Sequence, residues 1–131
     1  MRHHVYADSD CYPIAILVKA SAFNLSEIEN YYIDVLTSQG INNEDIIIVA
    51  VPYNDNGKAP VSFIKQQFDT LLPGLRTLGV ETIYCADAAY FKTLTKVQKT
   101  SVQLGYVLPC AIRHYQDLRI ILGINQKAVM Y

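Results

Sequence analysis

A chain of 131 residues, 51% hydrophobic and 18% charged, can bury one sizeable core and is not biased toward disorder. Its longest apolar runs, about six residues, fall far short of the ~20 needed to cross a bilayer. No apolar core follows Met1-Arg2-His3-His4, so no secretory leader is expected and the cytoplasm is the expected compartment. The net charge of −1 hides a polarity along the chain. Residues 1–87 hold 5 Lys/Arg against 11 Asp/Glu, whereas residues 88–131 hold 6 Lys/Arg against Asp117 alone. A basic segment that also carries aromatics suits contact with nucleic acid or an acidic partner.

Ile14-Ala15-Ile16-Leu17-Val18 is a continuous β-branched run, as expected of a strand covered on both faces. After the loop Lys19 to Asn24, Ser26 and Glu29 have capping-box spacing. Leu25, Ile28, Tyr32, Val35 and Leu36 then recur at helical spacing up to Gly40. Residues 46–51 (Ile-Ile-Ile-Val-Ala-Val) predict a second buried strand, followed by a turn-rich loop from Pro52 to Lys58. A helix is expected from Pro60, with Ile64, Phe68, Leu71 and Leu72 as its apolar stripe. Pro73-Gly74 should break or kink it.

Thr82 to Ala86 predicts a third strand. Beyond Asp87, Tyr90, Phe91 and Leu94 can share one face of a short helix. Leu104 to Leu108 reads as a short strand and Leu118 to Ile124 as another, the latter at an edge. This alternation predicts a single α/β domain over 1–131. The expected form is a three-layer sandwich, with a small, mostly parallel sheet of four to five strands and helices on both faces.

Chemistry-bearing groups are sparse. No phosphate-binding Gly-rich motif follows any strand, so no nucleotide cofactor is expected. Cys11, Cys85 and Cys110 lack metal-ligand spacing and read as free thiols, the last two buried, in a reducing compartment. No metal site is expected. His3 and His4 read as a solvated terminus, and His114 as a surface residue in a polar turn. Lys19, Ser21, Tyr53, Asp55 and Asp87 fall where an α/β sheet presents its strand ends to ligands. Asp55 and Asp87 could divide acid and base roles in a small enzyme acting with Tyr90. The competing reading makes Asp87 a helix cap. Lys92, Lys96 and Lys99, with Tyr90 and Tyr106 nearby and Arg113 and Lys127 further on, are candidates for phosphate neutralisation and base stacking, the competing reading being a solvated helix face with the aromatics packed inward. An acidic face docking a basic protein is a third possibility.

The run Asp87-Ala88-Ala89-Tyr90-Phe91-Lys92-Thr93-Leu94-Thr95-Lys96, with Leu104-Gly105-Tyr106-Val107-Leu108-Pro109-Cys110, resembles the region ahead of the exonuclease domain in some phage-encoded family A DNA polymerases. Ile16 to Ser21 and Glu29 to Ile33 are also similar, as, more loosely, is the ending from Ile124. The resemblance implies an amino-terminal polymerase domain, cut as a fragment or encoded separately, with a uracil-DNA glycosylase-like fold. Lys19 to Phe23 lacks the glycosylase's water-activating loop, and Asn125-Gln126 stands without the late histidine. The resemblance therefore implies an accessory role rather than base excision. Such a domain would position DNA (single-stranded or primer-template), or a phage replication protein, for the polymerase.

Overall fold

The computed structural model describes residues 2–19, 24–51, 61–97 and 107–123. The apolar runs form β2 (Ile14–Lys19), β3 (Ile46–Val51) and β4 (Thr82–Cys85). Around them lie β1 (Arg2–Val5), β5 (Val107–Pro109) and β6 (Arg119–Leu122). The strands make one sheet in the order β1-β3-β2-β4-β6-β5. β3, β2, β4 and β6 run parallel, with Ile14 opposite both Ile46 and Thr82, and Thr82 opposite Arg119. β1 and β5 close the two edges antiparallel.

The α/β class holds, but the sheet is mixed and has six strands, not the four to five expected. β1 was hidden by its composition: Arg-His-His-Val has no apolar run, and it forms by pairing with β3, His4 opposite Ile48. β6 is not an edge strand. It lies between β4 and β5, and Arg119 is exposed only because its residues alternate between faces. The true edge, β5, spans three residues and ends in Pro109. Shortness and a residue without N–H both blunt an edge against further pairing.

Period-two alternation splits the sheet's side chains between two cores. Ala15, Leu17, Ile47, Val49, Val51, Ile83 and Cys85 pack with Ile64, Phe68, Leu72 and Leu75 of α3 (Val61–Thr77) and Tyr90, Phe91 and Leu94 of α4 (Ala88–Thr95). Ile16, Val18, Ile46, Ile48 and Ala50 pack with Ile28, Tyr32 and Ile33 on the other side. Those three come from a helical stretch made of α1 (Leu25–Ile28), a π turn (Glu29–Ile33) and α2 (Asp34–Ser38). Helices thus cover both faces, giving three layers.

The start of this stretch differs from the capping-box reading. Asn24 is the cap, its side chain accepting from the Glu27 N–H at 3.3 Å, so Ser26 and Glu29 lie inside the helix. Gly40 ends α2 as expected, and Gly79 ends α3. Each has a positive φ (+90° and +76°), the conformation a Schellman turn requires, and Ile41 N–H and Val80 N–H reach back to Leu36 and Leu75 carbonyls at 3.1 Å.

Pro73 does not break α3, which continues to Thr77. Proline removes the hydrogen bond to the carbonyl four residues back, on Asp69, but both residues are exposed, so water can take that carbonyl. Flanking Leu72 and Leu75, 1% and 2% exposed, hold the helix to the sheet across the defect. Gly74 has no such role: a Cβ there meets nothing within 4 Å. Gly74→Ala is expected to raise stability by about 0.5–1 kcal/mol, because alanine has less backbone freedom to lose on folding. Urea denaturation checks this, and a loss of stability contradicts it.

Candidate functional site

The site is assembled at the far end of α4. Asp87, in extended backbone, accepts from the Ala89 N–H at 2.8 Å and starts the helix. Tyr90, Phe91 and Leu94 are fully buried, which fixes the helix rotation and turns Lys92 and Lys96, four apart, to the exposed side. The helix ends at Lys96, whose N–H donates to the Lys92 carbonyl at 2.7 Å. Lys96 itself is left-handed (φ 61°, ψ 18°). That conformation costs a residue with a Cβ roughly 1–2 kcal/mol.

A loop carrying Ile112 and Arg113 is tied to this helix end. Ala111 N–H donates to the Leu94 carbonyl at 2.7 Å. Arg76 of α3 holds the loop from the other side: its guanidinium donates to Asp117 at 2.6 and 3.2 Å and to the His114 carbonyl at 3.1 Å. It also lies over the Tyr115 ring, 4.9 Å from the centroid. This pair holds the Asp117 carboxyl below its ordinary range. Asp117 is the one acid of residues 88–131, so the acid of the basic segment is already engaged by Arg76.

Between α3, α4 and this loop lies a cleft of about 540 Å³, lined by Lys65, Lys92, Thr93, Lys96, Val97, Ile112 and Arg113. Four cations thus line the cleft with Val97, Ile112 and Thr93, and no carboxylate is among the described lining residues. Arg76 pairs with Asp117 and Arg119 with Glu81, and neither pair engages these cations. The Thr93 hydroxyl, nearly buried, donates to the Ala89 carbonyl at 2.8 Å. Clustered like charges raise the local potential for anions. The carboxyl end of α4 opposes this with about half a negative charge, far less than the surrounding cations supply.

Lys92, Lys96 and Arg113 were expected from the sequence and are brought together here. Tyr90 is not available to them. It is 0% exposed, its hydroxyl donates to the Val51 carbonyl at 3.0 Å, and its ring packs edge-on to Phe68 at 6.1 Å, so it cannot stack on a base. Lys99, Tyr106 and Lys127 lie outside the described residues. Lys65 was missed. Ile64 and Phe68 point inward, which turns Lys65 outward, but only the packing of α3 against α4 shows which basic residues it joins.

The strand-end cleft is a different place. Lys19 ends β2 and Asp87 follows β4, whereas the loop with Arg113 leads to the start of β6, at the opposite end of the parallel strands. Ser21, Tyr53 and Asp55 lie outside the described residues. The Asp87 carboxylate is occupied as a helix cap, which weakens its claim to acid–base work.

Among the described residues no group of three or more His, Cys, Asp or Glu could hold a metal, and no helix is long and apolar enough to cross a membrane. Cys85 and Cys110 are buried and Cys11 exposed. Burial pushes both inner thiols up from their ordinary range. Iodoacetamide is therefore expected to label Cys11 alone in the native protein and all three thiols in denaturant. Labelling of Cys85 at a comparable rate contradicts the packing.

A second cavity, about 200 Å³, lies between His3, Ile47 and Val49 on the sheet and Leu71, Leu75 and Leu78 on α3. It is apolar and carries no charge cluster. No protein-family model matches the chain, and no curated protein does either.

Proposed function

We propose that this chain is a non-catalytic binding domain of phage DNA replication, acting in the host cytoplasm. On this reading it positions DNA for a family A DNA polymerase through the cleft of Lys65, Lys92, Lys96 and Arg113. The cleft is the observation that carries the reading: cations gathered from α3, α4 and a loop around one concavity, with no lining carboxylate among the described residues. Such an arrangement suits a phosphate-bearing ligand. The strained backbone of Lys96 in its lining is a second support, because left-handed conformations away from glycine cluster where function maintains them. The polymerase context rests on the resemblance of residues 87–96 and 104–110.

Fluorescence anisotropy with single-stranded and primer-template DNA at low salt tests this. Binding that disappears in the Lys92→Glu/Lys96→Glu protein is expected. Absence of binding by the unaltered chain overturns the DNA reading.

A further inference from the structure

The cleft also says which part of a nucleic acid it can hold. Cations line it, together with the aliphatic side chains of Val97 and Ile112 and with buried Thr93. No aromatic ring is among its described lining residues. Tyr90 and Phe91, the rings just before Lys92, are sealed in the core, Tyr90 with its hydroxyl on a backbone carbonyl, and Tyr115 is covered by the Arg76 guanidinium. Reading or holding bases calls for stacking platforms or for polar groups matched to base edges. Among the described lining residues Arg113 alone carries a planar group that could meet a base, and the Thr93 hydroxyl is already spent on the Ala89 carbonyl. What the lining offers is charge for phosphate and aliphatic side chains for a sugar face.

Shape narrows the choice further. At about 540 Å³ the cleft has small-ligand size, within the roughly 300–1,000 Å³ typical of such sites. A flexible backbone can pass through it, one or two units inside and the flanking phosphates on its outer cations, four phosphates in all. A duplex is a stiff, convex rod that can touch only the rim.

Building on the DNA reading above, we propose that the cleft grips the sugar–phosphate backbone of a single strand. Phosphates sit on Lys65, Lys92, Lys96 and Arg113, deoxyribose lies on Val97 and Ile112, and the bases stay outside. Binding is then independent of sequence, because backbone contacts position a strand without reading it. The domain holds an unpaired strand without selecting where along it.

The test is anisotropy at low salt with three probes of about twelve nucleotides, within the range of single-strand site sizes: an oligothymidylate, a fully abasic strand and a duplex. The abasic strand is expected to bind within about fivefold of oligothymidylate and the duplex more than about fivefold weaker, as backbone-dominated recognition requires. Lys65→Glu should weaken both single strands together. A larger deficit for the abasic strand shows that bases are held and overturns the inference while leaving the DNA reading in place. Equal binding of the duplex, or indifference to Lys65→Glu, also overturns it. If none of the three probes binds, the DNA reading itself fails.

Discussion

Replacing Phe68 with alanine is expected to lower stability by about 3–5 kcal/mol, the range for deleting a large aromatic from a packed core. Phe68 is fully buried and sits where α3 meets both the sheet and Tyr90 of α4. Its removal deletes transfer energy and also opens a cavity between two helices that have little freedom to close it, since α4 is fixed at both ends by the Asp87 cap and the Ala111–Leu94 hydrogen bond. Domains of this size are stable by roughly 5–15 kcal/mol, so the variant should lose a large fraction of its margin. Urea denaturation followed by circular dichroism measures it. Phe68→Leu, which keeps most of the volume, should cost less. A loss below about 1 kcal/mol for the alanine variant contradicts the packing of α3 on α4.

The double charge reversal Lys92→Glu/Lys96→Glu is expected to weaken single-strand binding by about 50-fold or more at ~50 mM salt. Counterion release makes each phosphate contact to a single strand worth about 0.7 log units of affinity per decade of salt. Losing two contacts therefore costs nearly two decades relative to molar salt, before repulsion from the introduced carboxylates is counted. Both lysines are exposed, so folding should be unaffected, and a native circular dichroism spectrum confirms that. Arg119→Glu is the control: Arg119 is paired with Glu81 at 3.7 Å and does not line the cleft, so its reversal should cost much less. If Arg119→Glu weakens binding as much as the double variant, the effect belongs to overall charge and not to the cleft.

The central strands were legible because their signal is local. β2 and β3 are β-branched runs long enough to be buried on both faces, and the chain's turn formers bracket them. The cap on α4 was legible too, as Asp87 directly precedes an inward-facing Tyr90, Phe91 and Leu94. What failed depended on distant partners. Arg2–Val5 is polar and becomes a strand only because β3 offers an unpaired edge. Pro73 stays within a helix because tertiary packing on either side outweighs one lost hydrogen bond. Within the site, Lys92 and Lys96 declared themselves by helical spacing. Lys65 did not, because it belongs to the acid-rich part of the sequence and reaches the cleft only through the packing of α3. Tyr90 shows the opposite error. Its spacing with Phe91 and Leu94 already placed it on the buried face, and that same placement removes it from any contact with bases.

The most direct test of the central claim is the salt dependence of oligothymidylate affinity for the unaltered chain. With the four cations that line the cleft placed on phosphates, the logarithm of affinity should fall against the logarithm of salt concentration with a slope of about −3. The Lys92→Glu/Lys96→Glu protein should show a slope at most about half as steep. A flat profile for the unaltered chain, or the same slope in both proteins, contradicts the assignment of this cleft as the site that holds the strand.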